Sequence, residues 1–179
     1  MEIIREEDVR EESLLDVAKK MMTAARTAPK AIGVDNLVIA VAQRPTMEKI
    51  AQKMRQMVEE GRGAQFFLRD ADNILDGEVL LLIGTKIKPM GLSHCGMCGF
   101  ENCDEKDRHP DHPCAFNTGD LGIAIGSAVS VAADARVDNR VMFSVGKAVK
   151  EMKLLGEDVK IIYGIPLSAG GKNPFFDRK

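Results

Sequence analysis

The residues able to do redox or metal chemistry are gathered in one short stretch of the chain. All four cysteines and all three histidines lie between His94 and Cys114. The thiols follow the spacing Cys95-x2-Cys98-x4-Cys103-x10-Cys114. Three sulfurs can therefore wrap one inorganic centre while a fourth returns from the far side of a loop. Thiolates suit soft metals and iron–sulfur clusters. Gly96 and Gly99 flank Cys98 and permit the sharp turns that would aim sulfurs and backbone N–H groups at a common centre. Structural zinc sites are usually built from two short knuckles, and the second is missing among these cysteines. Histidine could supply it, since Cys95, Cys98, His109 and His112 form a C-x2-C-x10-H-x2-H series with poor later intervals. A cluster needs only cysteines and tolerates a remote fourth ligand. An iron–sulfur cluster on Cys95, Cys98, Cys103 and Cys114 is therefore the first expectation and zinc the alternative. A set of merely reduced thiols is the third reading, although structural cysteines are normally core residues.

The charges around the thiols add to this. Glu101, Asp104, Glu105, Asp107 and Asp111 face only Lys106 and Arg108 in the same segment. Negative charge beside a cluster opposes adding an electron, so a low reduction potential is expected. The same acids argue against a grip on nucleic-acid backbone, where Lys and Arg are needed. His94, His109 and His112 are read as surface or supporting groups rather than ligands.

Elements that must hold this segment are legible on both sides of it. Leu14, Leu15, Ala18, Met21, Met22 and Ala25 recur at helical spacing, with Ser13 and Asp16 as a capping pair and Pro29 as a stop. The run LVIAVA at 37–42 is short and continuously apolar, as in a strand covered on both faces. A second helix is expected on Met47, Ile50, Ala51, Met54 and Val58, between Pro45 and Gly61. A short third helix, on Phe67, Ala71, Ile74 and Leu75, stops at Gly77 before the strand-like run 78–84. From Lys88 to Pro113 periodicity disappears, and so long a loop in a compact domain is usually functional or disordered. From 117 to 134 the chain is apolar all round, as in a central helix, with Gly122, Gly126 and Ser130 forming a row of small residues. Asn117 and Asp120 are candidate caps of that helix. Asp138, Asn139 and Arg140 read as a turn. A helix over 141–155, a strand over 160–165 and the tail LSAGGKNPFFDRK complete the chain.

With 179 residues, 25 basic against 27 acidic side chains and 45% hydrophobic residues, the composition is ordinary for a soluble globular domain. The longest apolar run, 121–133, falls short of the roughly 20 residues a membrane span needs. The N-terminal sequence lacks a basic-then-apolar leader pattern, so a reducing cytoplasm is expected.

The segment CGMCGFENC resembles the CGxCGxxxC signature of small 4Fe-4S domains. Three longer stretches, AARTAPKAIGVDNL, PCAFNTGDLGIAIGSAVSVAADARVDNRVMFSVG and GIPLSAGGKNPFFDR, are similar to an uncharacterised family of ferredoxin-domain-containing proteins. A more distant resemblance is to nitroreductase-like flavoproteins, through the loop from Ala28-Pro29-Lys30 past Gly33 to Asn36 and the order of elements. That likeness implies an α+β fold: a nitroreductase-like three-layer arrangement over residues 1–179, with a mixed sheet covered by helices and a four-cysteine metal loop inserted at 88–116. It also implies a homodimer with FMN at its interface. The phosphate would be held from the first helix region and the C-terminal tail, where Arg26, Lys30, Lys172 and Arg178 are the candidates. The paired arginines that commonly open nitroreductases are absent, since only Arg5 and Arg10 precede the helix. The expected function is an iron–sulfur and FMN-dependent oxidoreductase acting on a small molecule. An electron carrier serving a redox partner and a zinc-stabilised interaction domain are the alternatives. Neither nucleic acid nor a membrane is expected as a partner.

Overall fold

The computed structural model describes residues 3–176. The first helix, α1 (Glu6–Thr27), buries Leu14, Ala18, Met21 and Ala25 on one face. It begins well before Ser13, which is therefore not its cap. Glu6, Glu7 and Asp8 fill its first turn, where carboxylates complement the helix dipole, and Arg10 pairs with Glu6 one turn on. Local charge thus extends the helix upstream of its apolar stripe. Pro29 follows its end, as expected.

A single 3-10 turn (Ala31–Gly33) leads into β1 (Leu37–Ala42). Next come α2 (Arg44–Glu59), with Pro45 in its first turn, and α3 (Phe66–Asp76), which ends at Gly77. Strand β2 (Val79–Lys86) follows, and after the cysteine excursion come α4 (Cys103–Asp107) and α5 (Ala115–Asp134). The chain closes with β3 (Asp138–Asn139), α6 (Phe143–Glu151) and β4 (Val159–Ser168). Arg140 donates to the carbonyl of Phe175 at 2.7 Å, and Asp138 accepts from Asn173 at 3.0 Å. The segment read as a surface turn is thus a short strand and the anchor of the tail.

The four strands lie in the order β1-β2-β4-β3. Every ladder among them is antiparallel, with Ile83 opposite Ile39 on one side and Tyr163 on the other. The α+β class and the covered sheet stand, but the expected mixture of parallel and antiparallel pairs does not. A continuous apolar run reports burial on both faces, which an antiparallel strand acquires equally well when helices cover both sides.

The alternation of β2 divides its side chains between two cores. Leu80 and Leu82 join α2, α3 and α6 in one, while Val79, Leu81 and Ile83 join α1 and α5 in the other. Strand β1 is only partly buried because it lies at the sheet edge.

Helix α5 departs from expectation. Leu121, Ala124, Ile125, Ala128 and Ala132 pack inward, but Gly122, Ile123, Gly126 and Ser130 are exposed. No heavy atom lies within 4 Å of a side-chain position built on Gly122 or Gly126. One face of the helix, with Ile123, is therefore open. Among the described residues, no helix is long and apolar enough to cross a membrane.

Packing is tightest where α6 meets β4. A methyl group at Gly146 would sit 1.7 Å from the backbone oxygen of Ile162. Gly146→Ala must push the helix off the sheet and should cost about 3 kcal/mol. A melting experiment should show the midpoint falling by roughly 6–12 °C.

Candidate metal centre

The excursion between β2 and α5 has no sheet to join, so its backbone must be satisfied locally. Its two ends are tied together by Asn117, buried in the first turns of α5. The Lys88 N–H donates to Asn117 Oδ1 at 2.8 Å. Asn117 thus holds the loop entrance rather than capping its own helix. Met90 anchors the first limb by burying its side chain. Gly96 and Gly99 both adopt positive φ, +60° and +87°, the region that the Cys98 turn was expected to need. The turn is closed by Gly99 N–H donating to Gly96 O at 3.0 Å.

Within the stretch read as aperiodic lies the one-turn helix α4. Asn102 caps it by accepting from Glu105 N–H at 2.8 Å, and Glu105 reaches back to accept from Glu101 N–H at 2.8 Å. An Asn followed three residues later by Glu is a helix-start signature, so this element was readable in principle.

These turns bring all four cysteines to the wall of one narrow cavity. Cys95 and Cys98 come from the glycine turn, Cys103 opens α4, and Cys114 immediately precedes α5. Cys114 is buried and the other three are half-buried; all four are free thiols. Phe100, Leu92 and Phe116 supply apolar walls. As the side chains are placed, no three His, Cys, Asp or Glu among the described residues are grouped to hold a single metal ion.

The histidines lie outside that ring. His109 stacks on Phe100 with centroids 5.0 Å apart, and His112 meets the same ring edge-on at 5.6 Å. Both are exposed, as is His94. Glu101, Asp104, Asp107 and Asp111 also face solvent, whereas Lys106 is buried and lines the cavity.

The four basic residues considered for a flavin phosphate are not brought together. Lys30 donates to the carbonyls of Ala25, Arg26 and Ala28 at 3.2, 2.7 and 2.7 Å. Its three N–H groups cap the end of α1, leaving none for a phosphate. Arg26 pairs with Asp35 at 2.6 Å and donates to Leu37 O, while its side chain stays half exposed. Lys172 is exposed in a tail fixed at the other end of the sheet, where Asn173 meets Asp138. Arg178 lies outside the described residues. Within one chain these residues do not form a phosphate cradle.

Asp120 accepts from Ala31 N–H at 3.1 Å, so it too secures a loop rather than a helix end. Beside it runs an open apolar groove, lined by Pro29, Lys30, Met97, Gly119, Asp120 and Ile123. Ala115 and Phe116 belong to the walls of both the groove and the cysteine cavity.

This architecture is that of the nitroreductase-like flavoproteins. A nitroreductase family protein from Clostridium novyi superposes with a TM-score of 0.60 at 14% identity, covering 99% of this chain and 79% of that one. A BluB-like flavoprotein from Clostridium difficile gives 0.58 at 17%, covering 88% and 81%. An FMN and NADPH-dependent nitroreductase from a Sphigopyxis strain gives 0.62 at 10%, covering 92% and 82%. At the level of sequence, an uncharacterized protein of Archaeoglobus fulgidus is 41% identical over 183 residues, spanning 98% of this chain and 97% of its own length. A family described as "Uncharacterized protein containing a ferredoxin domain (DUF2148)" matches residues 111–178. The chain belongs to this ferredoxin-domain family. The matched segment contains Cys114 and begins after the other three cysteines.

Asp35 makes the joint between α1 and β1 sensitive to acid. Burial raises its pKa, but hydrogen bonds from Arg26 and from Leu37 N–H, with the charges of Arg26 and Lys30, outweigh this and hold it below the ordinary carboxylate value. A depressed folded pKa contributes stability that is present above the unfolded value of about 3.9 and is lost as pH falls through the folded one. Asp35→Asn should therefore lower stability at neutral pH and flatten its decline below about pH 4. Denaturation at a series of pH values checks both effects, and an unchanged acid limb would contradict the assignment.

Proposed function

We propose that this protein is an iron–sulfur oxidoreductase, with a 4Fe-4S cluster held by Cys95, Cys98, Cys103 and Cys114 and FMN as its second cofactor, acting on a small molecule. The observation that carries the cluster assignment is that four free thiols, from three separate local structures, line one cavity. The histidines that a mixed Cys/His zinc site would need are not in its wall. A cluster presents several irons, each taking its own thiolate. The apolar walls suit it as well, because shielding from solvent is one determinant of cluster potential. The family description, with its ferredoxin domain, supports the same reading. Four reduced thiols fit a cytoplasmic protein.

Such a cluster supplies one-electron transfer. The chain's part is to fix the thiolates, through the Gly96 and Gly99 turn and the Asn117 tie, and to keep water off them with Phe100 and Phe116. The flavin assignment is supported by the fold shared with flavoproteins and by the groove that adjoins the cysteine cavity. Lys30 is not available to its phosphate. The open apolar face of α5, with exposed Ile123, fits a homodimer in which a second copy completes the groove. The committed Lys30 also favours a second reading, an electron carrier that binds the cluster alone and serves a separate redox partner.

Anaerobic purification with iron, sulfide, zinc and flavin measured on one sample decides among these. The expected result is iron and sulfide in equal amounts together with flavin. Iron and sulfide without flavin would select the carrier, and zinc without sulfide would reject the cluster. Cys98→Ser and Cys114→Ser should each lose most of the bound iron, with an unchanged far-ultraviolet dichroism signal showing that the fold persists.

A further inference from the structure

Lys106 is a buried cation in an otherwise acidic excursion. It is 1% exposed, and its side chain lines the cavity on which the four cysteines converge. Among the described residues, no ion pair or side-chain hydrogen bond holds its ammonium. The side chain is buried along its length and the ammonium keeps only a trace of solvent contact, so its charge is poorly hydrated there. Its position is also specified, because Cys103 and Lys106 lie three residues apart on α4, a spacing that puts both on one helix face. The Asn102 cap and the Glu105 bridge fix that helix. The counter-charge missing from the chain is what a thiolate-ligated centre would bring.

We propose that Lys106 is the counter-ion of the bound cluster, its ammonium offsetting the negative charge of the thiolate-ligated centre and raising its reduction potential. This rests on the four-cysteine cluster reading. Reduction adds one electron from an external low-potential donor such as dithionite, which is oxidised to sulfite. No bond of the protein forms or breaks, and the cluster with its thiolates becomes one charge more negative. The carboxylates of Glu101, Asp104, Asp107 and Asp111 act through water and are screened. Lys106 acts across a low-dielectric interior, where a unit charge weighs far more. One buried cation therefore outweighs several exposed acids, against the low potential that the sequence charges alone imply.

The test uses the full-length protein with Lys106→Met, which keeps the buried volume and removes the charge, and with Lys106→Gln and Lys106→Arg. Iron and sulfide are counted first. The midpoint is then followed by electron paramagnetic resonance during dithionite titration, and the apoproteins are melted. Lys106→Met and Lys106→Gln should lower the reduced-to-oxidised ratio at a fixed ambient potential by at least tenfold, about 59 mV for one electron. Lys106→Arg should stay within about threefold of the parent. Apo Lys106→Met should melt above the apo parent, because the uncompensated charge is gone. A loaded variant with an unmoved or raised midpoint, or an apo variant that melts lower, overturns the role of Lys106 while leaving the cluster assignment standing. A parent protein that takes up no iron and sulfide overturns both.

Discussion

A long irregular segment in the middle of a chain has no ladder to join, and every peptide group it buries must find a partner one at a time. The rest of this structure depends on how that constraint is met. Asn117 reaches from α5 to the Lys88 N–H and makes the first and last residues of the excursion neighbours. What lies between them is a closed loop, fastened at its neck. Short-range devices then shape its interior: the Gly96 and Gly99 turn, the Asn102 cap and the Phe100 ring packed under His109. The sheet and helices supply the rigid rim to which that neck is fixed.

The same economy governs the joint between α1 and β1. Lys30 and Arg26 look from sequence like donors for an anion, and Asp35 lies nearby. In the fold they satisfy the last carbonyls of α1, the Leu37 backbone and one another. A helix that ends at a proline leaves several acceptors without partners, and a lysine five residues beyond Ala25 is well placed to answer them.

Much of the fold was legible in the residues, and the misses have physical causes. Strand β1, helix α2 and the stop at Gly77 follow from apolar period and breaker residues. Helix α1 starts earlier than its apolar stripe because its first turns are stabilised by charge, which a hydrophobic pattern does not register. The strand directions were not legible, since burial on two faces looks the same for either pairing. For the site, the cysteine spacing and its glycines pointed to the cavity. Composition shows Lys106 only as one of two basic residues in an acidic segment, because nothing in it tells which lysine turns inward. Asn117 and Asp120 were recognised as polar residues needing partners, but those partners lie 29 and 89 residues away in the chain.

The wall formed by Ala115 and Phe116 has two sides. Groups bound in the cavity and in the groove would touch the same two residues. Electron tunnelling across such a gap needs no relay of intervening carriers. With the proposed cluster in the cavity and the proposed flavin in the groove, the ring of Phe116 would be the dielectric of a small capacitor, through which a change in charge on either face would be felt on the other.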